Sequence, residues 1–181
     1  MKFLKLGLAG ALAVASIGPA HAAETINVAF TQPNGGTTTG LYSGIVHVRV
    51  SGTGFSLGSA LNDAFYLLSG PVHDASYYQL TFGTSPLVAF NPSQNAVNFV
   101  VGGLPAYQAS HVYDFFLNTG SAVPTALNFG VGDGQFGDNG GSFLVSVGVP
   151  EPATWAMLIV GFGMVGAGMR SARRRTSVRF A

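Results

Sequence analysis

Between residues 23 and 150 the chain never sustains apolar spacing of three and four over a dozen residues, and its 19 glycines cut every window long enough to hold a helix. What it keeps instead is period two. In the stretch SGIVHVRVSG, Val46, Val48 and Val50 share one face while Ile45, His47 and Arg49 share the other, as in a half-buried strand. The same reasoning predicts strands at 25–30, 64–68, 77–82, 96–101, 112–117, 126–129 and 142–147. Gly, Asn and Pro clusters separate them. Short alternating strands with turn-rich connections predict a mainly β chain, an antiparallel β-sandwich over residues 23–149 with the jelly roll as one arrangement. That length is enough for one domain with its own core.

Charge is distributed unevenly along the chain. Residues 23–150 hold six acids (Glu24, Asp63, Asp74, Asp114, Asp133 and Asp138) against one arginine, Arg49, a formal charge of −5. Five arginines crowd the last twelve positions, so the net charge of +1 averages two unlike parts. A mildly acidic body argues against nucleic acid as a partner, because phosphate binding needs clustered Lys and Arg. The chain has no cysteine, which removes disulfides and thiolate metal sites from consideration.

The first residues, MKFLKLGLAGALAVASIGPAHAAE, carry two lysines, an apolar run, a Gly18-Pro19 break and the small-residue pattern Ala20-His21-Ala22. This predicts a signal peptide over 1–22, cut by signal peptidase between Ala22 and Ala23. The apolar run is too short to span a bilayer permanently.

Catalytic motifs are sparse. There is no G-x-S-x-G elbow, and the acids have no spacing that marks a glycosidase pair. His111 and Asp114 are separated by an odd number of residues, which places them on opposite faces of a strand. The string GFGMVGAG satisfies G-x-G-x-x-G but lacks a surrounding βαβ unit, so small-residue packing in a helix is the better reading. The best candidate in the body is the glycine-dense loop 130–141, where Asp133, Asp138 and Asn139 bring three hard oxygen donors together in sequence. Such donors, with carbonyls freed by glycine, suit calcium, although the spacing is not that of an EF-hand. A plain Asx turn is the alternative. The stretch DGQFGDNGGSFLVSV loosely resembles the last loop and strand of some jelly-roll sugar-binding domains. The tyrosines Tyr42, Tyr66, Tyr77, Tyr78, Tyr107 and Tyr113 offer either stacking surfaces for a sugar or core packing.

Beyond the body, residues 153–169 are uncharged and are followed by Arg170 and Arg173 to Arg175. Seventeen residues reach about 25 Å, the short end of a membrane crossing, and predict a single short C-terminal transmembrane helix with a cytoplasmic tail at 176–181. Pro150-Glu151-Pro152 holds the chain extended just before it. Together Pro150, Glu151, Pro152, Trp155, Ala156, the Gly-rich helix and Arg173, Arg174 and Arg175 resemble the PEP-CTERM sorting domain of the PEPxxWA type, over 150–175, found in exported proteins of Gram-negative bacteria. The resemblance implies a transient inner-membrane anchor, an exosortase-type processing enzyme as partner, and delivery to the cell surface or an exopolysaccharide matrix. It leaves the body domain uncharacterised. The expected function is a non-enzymatic structural or adhesive surface protein without an obligatory cofactor. A carbohydrate-binding module, with or without calcium, is the first alternative and a secreted hydrolase the second.

Overall fold

The computed structural model describes residues 23–75, 79–148, 159–166 and 170. The expected signal peptide, the Pro-Glu-Pro, Trp155, Ala156 and the arginines at 173–175 lie outside the described residues, as do Tyr77 and Tyr78.

The described body contains nine strands: β1 (Glu24–Ala29), β2 (Gly36–Thr37), β3 (Ile45–Ser51), β4 (Gly54–Ser56), β5 (Ala60–Asn62), β6 (Leu80–Gly83), β7 (Val112–Asn118), β8 (Asn128–Val131) and β9 (Gly140–Gly148). Every pairing among them is antiparallel. The larger sheet runs β5-β4-β9-β3-β7, with β1 on the other edge of β9, and the smaller runs β2-β8-β6. β4 continues the line of β3 along β9 after an irregular step at Gly52, whose φ of 108° is a conformation that glycine takes without strain.

Period two translates directly into burial. Val46, Val48 and Val50 of β3, Phe143, Val145 and Val147 of β9, and Tyr113, Phe115 and Leu117 of β7 all face inward. The smaller sheet contributes Leu80, Phe82, Phe129 and Val131, and the two sets join in one hydrophobic cluster. Within it Phe30 meets Phe143 edge-on at 4.7 Å between centroids, and Phe82 packs on Phe129 at 5.4 Å.

Two predicted strands are corrected. Residues 64–68 form no strand but a tight turn, because the Asp63 carboxylate accepts the amides of Phe65 and Tyr66 and so folds the backbone over itself. Residues 96–101 begin as a 3₁₀ turn, Ala96–Phe99, that follows another at Pro92–Gln94. There Asn91 caps the amide of Ser93, Asn98 donates to the Pro92 carbonyl, and these local bonds win over the alternation. The strand predicted at 126–129 is shifted to β8, and the short β2, β4 and β5 carry too few residues to show a period.

β9 is laddered on both sides, by β1 over Ser142 to Val147 and by β3 and β4 opposite. Glu24, which opens β1, sits across from Val147. The entry to the body and its exit at Gly148 are therefore neighbours at one end of the larger sheet. The loop between β8 and β9 lies at the other end, the length of β9 away, about 27 Å at strand rise.

Of the expected 153–169 membrane helix, residues 159–166 are described and are helical, with Ile159, Phe162 and Met164 exposed. Among the described residues no helix is long and apolar enough to cross a membrane.

Candidate functional site

The β8–β9 loop brings the sequence-predicted oxygens into a buried setting. Asp133 is 2% exposed and Asn139 8%, while Asp138 is partly buried. The Asp133 carboxylate turns into its own loop, where Oδ1 accepts the amide of Gln135 at 3.0 Å. Asn139 donates from Nδ2 to the Phe30 carbonyl at 3.0 Å, which pins the loop to the end of β1 and fixes the orientation of the amide. One oxygen of each residue is left bare: Asp133 Oδ2, Asp138 Oδ1 and Asn139 Oδ1 are buried atoms with no hydrogen-bond donor. At Gly141, just beyond, φ is 95° and a Cβ would press on Gly54 and Thr53, so only glycine lets β9 start against β4.

A second buried carboxylate was missed by reading the sequence. Asp63 is fully buried. Its Oδ1 accepts the amides of Phe65 and Tyr66, and its Oδ2 accepts the Tyr113 hydroxyl at 2.7 Å and faces His111 Nδ1 at 3.1 Å. Burial, and then the bond to Asp63, push the Tyr113 hydroxyl far above the usual phenol range. The local part of this hub, Asp followed by two captured amides, is a legible Asx signal. The partners 48 and 50 residues away are not.

The histidines part company as their spacing requires. Asp114 pairs with Arg49 at 2.7 Å on the outer face of the sheet, with His47 Nε2 at 3.7 Å, while His111 turns to Asp63. His73 stacks on Tyr107 at 4.0 Å, and Tyr107 also meets Tyr66 and His111. Tyr42, Tyr66 and Tyr113 are core residues, which removes them from the set of tyrosines open to a sugar. Among the described residues no group of three or more His, Cys, Asp or Glu is placed to hold a metal, and the β8–β9 loop brings two carboxylates and an amide.

At the opposite end of the sheet Glu24 closes part of the loop between β2 and β3. Its carboxylate accepts the amides of Thr39 and Gly40 and the Thr39 hydroxyl, at 2.6 to 2.9 Å. Partial burial pushes this carboxyl up, but these bonds and the Tyr42 hydroxyl outweigh it and hold the group below the usual carboxylate range.

Directly after this end comes the segment that addresses the protein. Residues 148–175 match the family of the PEP-CTERM protein-sorting motif. The chain carries an exosortase sorting signal. The PEP-CTERM match begins at Gly148, the last residue of β9, and takes in Pro150, Glu151, Pro152, Trp155, Ala156 and Arg173 to Arg175. It marks an exported protein of the Gram-negative surface-sorting system, processed by a membrane-associated exosortase. No curated protein and no solved structure matches the chain.

Proposed function

We propose that the body is a non-enzymatic surface or exopolysaccharide-matrix component with a structural or adhesive role, delivered by a signal peptide over 1–22 and held in the inner membrane by a helix at 153–169 until exosortase cuts near Pro150. The observation that carries this reading is the join between fold and address. The matched PEP-CTERM motif starts on the last residue of β9, a strand laddered on both sides, and the entry to the body lies beside it. Both ends of the described body, at Glu24 and Gly148, then lie toward the membrane together, and the β8–β9 loop faces away. A body arranged so, with two sheets closing on one core as in a β-sandwich, is suited to display a distal surface. Replacing Pro150-Glu151-Pro152 by alanines, or deleting the exosortase, should leave a longer form in the inner membrane fraction. Unchanged size and surface display in such strains would overturn the sorting half of the reading. A substrate screen of the purified full chain tests the non-enzymatic half, and turnover abolished by a single side-chain change would overturn it.

Carbohydrate binding is a second reading, favoured by the stacked His73–Tyr107 pair beside His111. Aromatic faces of this kind take the apolar side of a sugar ring. Tyr107→Ala should then abolish retention on a polysaccharide matrix without lowering the melting temperature by more than a few degrees.

A further inference from the structure

We infer that the β8–β9 loop binds one calcium ion through Asp133 Oδ2, Asp138 Oδ1 and Asn139 Oδ1. Buried polar atoms are hydrogen-bonded in the great majority of cases, and an unpaired buried carboxylate oxygen is far costlier than an unpaired hydroxyl. Three such bare oxygens fall within seven residues of one loop, and each needs a partner. Among the described residues of the body no lysine or arginine is left to satisfy them. Arg49 is the only Lys or Arg in residues 23–149, and it is committed to Asp114 on the outer face of the sheet. A cation from solution would supply the compensating charge.

The chemistry of the donors selects the ion. All three are hard oxygens, with neither histidine nor cysteine among them, which disfavours zinc and copper. Calcium accepts six to eight oxygens in an irregular shell at roughly 2.4 Å, whereas magnesium demands a near-ideal octahedron and keeps most of its water. A glycine-rich loop with Gly132, Gly134 and Gly137 can turn main-chain carbonyls to complete an irregular shell. The amide of Asn139 cannot turn its oxygen away without breaking the bond from Nδ2 to Phe30. The ion would tie the entry of β9 to the end of β1, which makes it a staple for the distal end. This inference goes beyond the sorting reading and is independent of it.

The test uses the full chain in detergent, freed of metal by chelator dialysis. Titration with calcium chloride should show one site, and a hundredfold excess over Kd should raise the melting temperature by about 8 °C, with magnesium far less effective. Asp133→Asn and Asp138→Asn should each weaken calcium binding at least about tenfold, because each removes a charge from a site held by two. Neither should melt below the wild type in chelator, since each relieves a bare buried charge, and this separates loss of the ion from loss of the fold. If Asp133→Asn does melt lower, the half-buried Asp138→Asn decides. No calcium heat and no melting shift in the wild type, or a shift that survives in the double variant, would show that water alone fills the loop and would overturn the proposal. Processing of the PEP-CTERM signal is scored separately, and its failure leaves this result standing.

Discussion

Asp63 and Asp133 are both buried carboxylates that open a turn by accepting a downstream amide, yet they end in opposite states. Asp63 has donors on both oxygens, all supplied by the chain itself: two amides, the Tyr113 hydroxyl and the His111 ring. Asp133 has one oxygen paired and one bare. The first is a closed hub whose work is to join the 63–66 turn to the start of β7. The second is open on the side where solution can complete it. Burial alone therefore does not separate a structural acid from a binding one. The inventory of donors does.

The comparison breaks hardest at Asp63. Asp63→Ala leaves two amides, a hydroxyl and an imidazole N–H facing a void, and should lower stability by about 4 kcal/mol, measured by urea denaturation. Asp63→Asn keeps the shape but presents an N–H to at least one donor, and should cost about half as much. If Asp63→Ala were tolerated within 1 kcal/mol or so, the hub would not be structural and the contrast with Asp133 would collapse. In chelator Asp133→Asn should move the other way, raising stability by about 1 kcal/mol, because a bare charge is replaced by a neutral amide. A fall of similar size would mean that the amide fits the turn worse than the carboxylate, and Asp138→Asn would then carry the comparison.

How much of this was legible follows from how local each signal is. The strands β1, β3, β7 and β9 announce themselves by alternation over six to nine residues, since one face of each is core. Residues 64–68 and 96–101 carry similar apolar content but not the fold expected, because side-chain caps from Asp63, Asn91 and Asn98 are bonds that hydrophobic patterning does not encode. The β8–β9 loop could be singled out because its three oxygens are close in sequence. The Asp63 hub could not, because Tyr113 and His111 reach it only through the pairing of β7 with β3 and the turn after β5.

His111 sharpens the same contrast on a smaller scale. Its φ of 52° lies in the left-handed region, where a non-glycine residue is strained by about 1 kcal/mol, and the bond to Asp63 helps hold it there. His111→Ala loses the bond and keeps the strain, whereas His111→Gly loses both. The alanine variant should therefore be the less stable by about 0.5–1 kcal/mol, reversing the usual order of the two residues. Equal stabilities by urea denaturation would show that the backbone there is not strained.

Glu24 is an exposed-side counterpart of Asp63, a carboxylate that gathers amides at the end of the body nearest the PEP-CTERM signal, and it should give the smallest effect. Its folded pKa lies below the ordinary value of 4.5, so its contribution is fully present above that value and is lost as pH falls through the lower folded one. Glu24→Gln should cost about 0.5 kcal/mol at neutral pH, since the bonds are charge-assisted but screened by solvent. At pH values below the folded pKa the difference between wild type and variant should vanish, because the wild-type carboxyl is then itself neutral. Melting curves of both proteins across the acid range measure this directly. A gap that stays constant with pH would mean that Glu24 acts by shape rather than charge, and that the two ends of the sheet do not differ as the donor inventory says they do.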